Sequence, residues 1–237
     1  PAMYVAMYYA REYGVKTHII SEYGKDFTEY IHDFTAMATP PDDGHTLIYR
    51  NNVENEHRTQ FCPNPEDSPP ISLDARIANL IASADIFIVA PDIPNYSSSY
   101  INEAIGYASR SSKKILMPQG LLRKIDDQGL VTKGSLDDPS ILNLFDAVVI
   151  SDEDIDDAVE IATVWSKGCA NTSIIITKAR EGATLLQDGK CTDIPTARPL
   201  GVHEIVDSVG AGDMFSAEIA VKLFEGASAE QAIEFAH

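Results

Sequence analysis

The chain has 237 residues, 44% of them hydrophobic and 23% charged. That length fits one large α/β domain or two small ones, and that balance supplies a sizeable core and excludes bulk disorder. The formal net charge of −18 repels nucleic acid and anionic membrane, which sets both aside as partners.

In chain order, residues 2–13 are rich in Ala, Met and Tyr and predict a helix that stops at Gly14. Residues 15–21 (V-K-T-H-I-I-S) alternate and read as a strand, and a second helix is expected over 26–37. Pro40 to Gly44 breaks that helix. Two short extended runs, 45–51 and 57–62, then flank a polar turn and read as a hairpin, followed by a proline-rich linker over 63–70. From there helices at 74–83, 98–109 and 152–167 alternate with strands at 85–90, 114–117, 146–150 and 173–177. Near-continuous apolar strands separated by helices predict a mostly parallel sheet covered on both faces. Ligands in such sheets bind beyond the carboxyl ends of the strands. A second hairpin is expected around Asp188-Gly189, and a last helix over 228–237.

The most informative stretch is 206–217, V-D-S-V-G-A-G-D-M-F-S-A. It reads as a strand end, a tight glycine turn and a helix start. Gly210 and Gly212 bracket Ala211, so nothing larger than a methyl group shields the backbone. Free N–H groups at a helix start, among small residues, suit an anion. Asp213 in the first turn has two readings. It caps the helix and complements its dipole, for about 0.3–1 kcal/mol, or it faces whatever the amides hold and acts as a base. Asp207 brings a second carboxylate into the same turn.

Asp207 to Asp213, D-S-V-G-A-G-D, resembles the C-terminal signature of the ribokinase-like (PfkB) carbohydrate kinases, D-T-T-G-A-G-D. The resemblance implies a three-layer α/β/α fold with a mostly parallel central sheet and a small β lid. It also implies ATP-dependent phosphorylation of an alcohol on a sugar, polyol or nucleoside. Asp213 would take the hydroxyl proton. The amides of Gly210, Ala211 and Gly212 would hold the charge on the transferred phosphoryl group, each such donor contributing about 2.7–4 kcal/mol in the transition state. Mg²⁺ would escort ATP into an acidic protein, and the family leaves room for a monovalent cation.

Other phrases extend the likeness. Residues 20–26 are similar to the family's "vs.vG.D". Tyr49-Arg50-Asn51 and Arg58-Thr59-Gln60 resemble a lid phrase, which implies a β lid over about 43–63. Pro118-Gln119-Gly120-Leu121-Leu122-Arg123 resembles the "PQG..R" of a subgroup that includes inositol-type kinases, and puts Gln119 and Arg123 at the substrate or phosphate edge; read alone, it is a solvated turn. Ser151 and Asp154 stand where the family has N-x-x-E. That implies metal and phosphate handling by Asp154, while the residues alone read as a helix cap. Thr177 to Ala183 resembles the T-x-G-x-x-G nucleotide loop, with Ala179 in place of the first glycine. Thr177, Ala179, Arg180, Gly182 and Asp207 thereby become nucleotide contacts. The closing A-I-E-F-A-H fits "A..fA", with His237 bordering adenine. The likeness covers nearly the whole chain as one domain, and both ends look clipped relative to the family.

Three cysteines, Cys62, Cys169 and Cys191, are odd in number and far apart, as expected of reduced thiols in a cytoplasmic protein. His203-Glu204 lacks the second histidine of H-E-x-x-H, and no P-loop occurs. Two rivals stay open beside the kinase: a non-catalytic kinase-like binding protein, and a Rossmann- or flavodoxin-like cofactor binder without its glycine fingerprint. A homodimer, paired through lids, is compatible with the family.

Overall fold

A computed structural model describes residues 1–54, 57–198 and 209–237. The first helix, α1 (Ala2–Tyr13), stops where Gly14 turns left-handed at φ 64°. The Gly14 and Val15 amides close back on the Ala10 and Tyr9 carbonyls, as helix ends with such a glycine do. Strand β1 (Thr17–Ile19) follows. The helix expected over 26–37 does not form. A 3₁₀ turn spans Lys25–Tyr30, and β2 (Thr35–Met37) pairs parallel with β1, Thr17 opposite Thr35. Phe27, Thr28, Tyr30, Ile31, Phe34 and Thr35 are poor helix formers. The carboxylate of Asp26 accepts from the Thr46 amide and hydroxyl instead of capping a helix.

Strands β3 (Arg50–Glu54) and β4 (His57–Phe61) form an antiparallel hairpin, its first strand beginning five residues later than the expected 45 and running through residues expected in the turn. Helix α2 (Ala75–Ser83) is capped by Asp74, whose side chain accepts the Ile77 amide, and leads to β5 (Ile86–Val89). Helix α3 (Ser98–Tyr107), capped by Ser97, leads to β6 (Lys113–Leu116). Two strands without a local sequence signal follow, β7 (Arg123–Ile125) and β8 (Leu130–Lys133). They join the hairpin in a separate four-stranded sheet of order β3-β4-β8-β7.

Next come β9 (Ala147–Ser151) and helix α4 (Ala158–Ser166). The helix starts six residues later than the expected 152. Like charges in D-E-D-I-D-D repel at helical spacing, and Asp157 turns left-handed at φ 51° before the helix begins. Strand β10 (Ser173–Thr177), the hairpin β11 (Ala183–Gln187) and β12 (Lys190–Ile194), and helices α5 (Ala211–Phe224) and α6 (Ala229–Ala236) complete the described elements. Helix α6 begins with a reciprocal cap between Ser228 and Gln231.

The central sheet has the order β12-β11-β10-β9-β6-β5; β5, β6, β9 and β10 run parallel, β11 pairs antiparallel with β10, and β12 pairs antiparallel with β11 at the edge. Alternate residues supply its two faces. Leu116, Val148, Ile150, Ile174 and Ile176 pack with α3 and α4 on one side. Ile115, Ala147, Val149 and Ile175 pack with Ile219 and Ala220 of α5 and Ile233 of α6 on the other. The result is a three-layer α/β/α fold. Because β5, β6, β9 and β10 share a direction, the segments after residues 89, 116, 151 and 177 gather at one edge, where the crossing helices also begin.

Candidate active site

Gly210 is the N-cap of α5, with φ 83° and no side-chain cap. The first intrahelical bond runs from Met214 N–H to the Gly210 carbonyl at 2.9 Å, so the amides of Ala211, Gly212 and Asp213 precede the helical ladder. Ala211 and Gly212 are exposed, and a Cβ at Gly212 would meet open space. Gly210 differs: a Cβ there would overlap the ring of Tyr4 in α1. The glycine thus lets one helix press on the turn that opens the other.

The Asp213 side chain is only 17% exposed, and its Oδ2 lies 3.8 Å from the Pro1 nitrogen. Burial raises its pKa, and the negative charge of Asp92 adds to the shift. A carboxyl held above its ordinary range, beside unladdered amides, is suited to accept a proton at neutral pH.

Asp92, on the segment after β5, is absent from the residues expected at the site. Its carbonyl accepts from Arg123 Nη1 at 2.8 Å and from Tyr49 Oη at 2.6 Å. The Arg123 guanidinium also lies 4.9 Å from the Tyr49 ring centre. Arg123 is thus held by protein, through one bond from its guanidinium to a main-chain carbonyl and by the Tyr49 ring. Next to it, Gly120 donates its amide to Pro91 O at 2.9 Å, and a Cβ there would overlap that carbonyl. This close approach explains the glycine in the P-Q-G phrase.

The structure brings together two residues drawn from separate phrases. Gln119 Nε2 donates to Asp154 Oδ1 at 2.8 Å, while Asp154 Oδ2 accepts the Ser151 amide at 3.0 Å. Both oxygens of Asp154 are thus engaged, and no group of three His, Cys, Asp or Glu able to hold a metal occurs among the described residues. This donor set does not fit a resident metal cage. A Mg²⁺ that arrives on nucleotide phosphates keeps several waters and needs no such cage.

On the neighbouring strand end, Thr177 Oγ1 donates to Ile150 O at 3.4 Å. The following turn is closed by Lys178 N–H to Gly182 O at 2.8 Å. Ala179 holds φ 47° and Gly182 φ 106°, so the left-handed geometry persists where alanine replaces glycine. A Cβ at Gly182 would overlap the Ile194 carbonyl. Arg180 is exposed, whereas Lys178 is paired to Asp193 Oδ1 at 3.1 Å. His237 stands 5.3 Å from the Phe215 ring, and burial lowers its pKa. Its Nδ1 is shielded and has no hydrogen-bond partner among the described residues. Asp207 lies outside the described residues.

Behind the site, α1 is locked to α5 by a buried acid that the sequence reading passes over. Glu218, 7% exposed, accepts from Tyr8 Oη at 2.7 Å and Tyr13 Oη at 2.6 Å through the same oxygen. Lys222 Nζ lies 3.5 Å from its other oxygen. Tyr8 and Tyr13 lie five residues apart, outside the same-face spacings of three and four, so the sequence carried no signal for this pairing.

The family model for pfkB family carbohydrate kinases matches residues 8–237. The bifunctional protein HldE of Citrobacter koseri is 25% identical over 207 residues, covering 86% of this chain and 41% of that protein. The chain thus spans about two fifths of the length of the curated relatives it matches. A sulfate complex of a pyrophosphate-dependent kinase in the ribokinase family superposes with a TM-score of 0.75 at 15% identity, covering 98% of this chain and 81% of that one. Arabidopsis thaliana ribokinase with ribose and ATP gives 0.68 at 13% identity, covering 98% and 77%. At these identities the structures establish the fold, which is ribokinase-like.

Proposed function

The chain belongs to the pfkB family of carbohydrate kinases, and from that premise we propose that it transfers the γ-phosphoryl group of Mg-ATP to a hydroxyl of a sugar, polyol or nucleoside. The observation that carries the reading is Asp213: a mostly buried carboxyl with a raised pKa, in the first turn of a helix whose leading amides are outside the ladder. Asp213 takes the proton of the acceptor hydroxyl. The hydroxyl oxygen forms the new bond to phosphorus, the bond to the bridging oxygen breaks, and ADP leaves with that electron pair. The amides of Gly210, Ala211 and Gly212 hold the charge on the moving phosphoryl oxygens. Positioning and electrostatics of this kind are the main contribution a protein makes to phosphoryl transfer.

In this reading the nucleotide lies along Thr177 to Gly182, with Arg180 at its phosphates, His237 at the adenine edge and Asp207 as a further contact. Gln119 orients Asp154, which would be the residue to meet a Mg²⁺ carried in on the nucleotide and so help offset the phosphate charge. The four-stranded sheet is the lid over the acceptor, and it excludes water that would otherwise hydrolyse ATP. Among the described residues no helix is long and apolar enough to cross a membrane, and the acceptor is taken to be a small soluble molecule of the cytoplasm. Pairing of lids would make a homodimer.

The test is phosphoryl transfer to a panel of D-ribose, myo-inositol and adenosine, with Mg-ATP and, separately, pyrophosphate as donor. Pyrophosphate is included because the pyrophosphate-dependent kinase shares the fold. Transfer from ATP is the expected result. Transfer from pyrophosphate alone changes the donor, and no transfer from either leaves the ligand-binding protein in the kinase's place.

A further inference from the structure

We propose that Arg123 and Tyr49 are positioning residues for the acceptor alcohol: together they fasten the four-stranded sheet, by both of its edges, to one peptide carbonyl after β5. The inference rests on the kinase reading for the word acceptor, and on geometry alone for the fastening.

In the order β3-β4-β8-β7, β3 and β7 are the edge strands. Tyr49 immediately precedes β3, and Arg123 is the first residue of β7. Both donate to the carbonyl of Asp92, at 2.6 and 2.8 Å. A carbonyl oxygen has two lone pairs, so two groups from opposite edges of the sheet fill its acceptor capacity. The guanidinium lies over the Tyr49 ring, which ties the two donors to each other. Burial pushes the Tyr49 phenol up to about 12, so it stays a donor across the working range. The receiving peptide is itself fixed, since Gly120 donates to the adjoining Pro91 carbonyl with no room for a side chain between them. Asp92 follows the carboxyl end of β5, on the sheet edge where ligands bind in such folds, and its negative charge is among those that raise the Asp213 pKa. A cleft of about 320 Å³, lined by Phe27, Tyr30, Leu47, Ile48 and Tyr49, opens next to the anchor. Loss of the anchor therefore loosens the wall on the acceptor side and leaves the glycine turn of α5 and the 177–182 loop alone. A phosphate ligand at position 123 would do the opposite.

Amide hydrogen exchange and initial rates of Arg123→Ala, Arg123→Lys and Tyr49→Phe separate these cases. In Arg123→Ala, exchange over residues 46–54 is expected to quicken about ten-fold, with α5 unchanged, because a charge-assisted bond holding a local unit is lost. The acceptor KM is expected to rise about ten-fold and the ATP KM to stay, the signature of lost binding on one side only. Arg123→Lys follows Arg123→Ala, since an ammonium keeps the charge but not the fork or the stacking. Tyr49→Phe shows the same pattern, about two- to three-fold, having lost one neutral hydrogen bond. Unchanged exchange over 46–54, or a rise in ATP KM with lysine restoring it, overturns the proposal. Faster exchange in a protein that phosphorylates nothing on the panel upholds the fastening, and overturns the kinase reading and the acceptor role with it.

Discussion

Two glycine turns stand at the same edge of the sheet and use glycine for opposite reasons. At 178–182 the turn is full: Gly182 is pressed on the Ile194 carbonyl, and Lys178 is spent on Asp193. Ala179 keeps the left-handed φ of 47° that a glycine would adopt more readily. At 210–213 the turn has one packed side, where Gly210 meets Tyr4, and one open side, where Gly212 faces nothing and the amides are exposed. A glycine can let two backbones touch or leave space for a ligand, and its surroundings tell which. On this argument the α5 turn is the one proposed for the chemistry, and the 178–182 turn is a packed one.

Four substitutions test that contrast, in order of expected effect. Asp213→Asn keeps the shape of the open turn and removes its base. Transfer is expected to fall about 10²–10⁴-fold with nucleotide affinity retained, read from initial rates and direct binding. The same variant has a stability signature. The raised native pKa of Asp213 means its contribution is fully present below the ordinary carboxylate pKa and is lost as pH rises through the native one. Asn has no such loss, so its melting temperature should gain on wild type between acid and neutral pH. Gly182→Ala attacks the full turn: its φ of 106° and ψ of −139° suit glycine almost alone, and the overlap with backbone cannot relax cheaply. A loss of about 2–3 kcal/mol in chemical denaturation is expected.

Gly212→Ala sharpens the difference, because the same change at an open site should raise stability by up to about 1 kcal/mol. Transfer should nonetheless drop by roughly ten-fold, as a methyl group crowds the phosphoryl group from its amides. Equal destabilisation by Gly182→Ala and Gly212→Ala would erase the contrast. The smallest effect is Ala179→Gly, where relief of left-handed strain and the greater freedom of unfolded glycine nearly cancel, leaving stability within about 0.5 kcal/mol of wild type.

The central layers were legible because the cause was local. I-I-I at 174–176 and V-V-I at 148–150 leave no polar face, so these strands had to be covered on both sides. The helices expected from 74, 98 and 228 form within a residue of those starts, each behind a capping side chain, Asp74, Ser97 or Ser228. The segment 26–37 was not, because its helical spacing of apolar residues competed with β-branched and aromatic composition, and pairing with β1 decided the outcome. Strands β7 and β8 are short and polar, and they exist through pairing with β4 and each other. At the site, Asp213 and the glycine turn were visible as a motif, and Gln119 and Asp154 as two phrases without a hint that they touch. Asp92 was invisible because its main chain, more than its side chain, is what the neighbours grip. Glu218 looked like one more surface acid on a helix, and only the approach of Tyr8 and Tyr13 from α1, more than 200 residues earlier, buries it.

The central claim is that the opening of α5 and its first-turn acid meet the phosphoryl group and its acceptor. A crystal structure with ADP, aluminium fluoride and the acceptor identified by the panel tests it most directly, since the planar fluoride occupies the place of the group in flight. The account predicts the fluorides within hydrogen-bonding reach of the Ala211 and Gly212 amides, and the acceptor hydroxyl within reach of the Asp213 carboxylate. A fluoride bound away from those amides, or an acceptor oxygen whose nearest carboxylate is another residue, would contradict it.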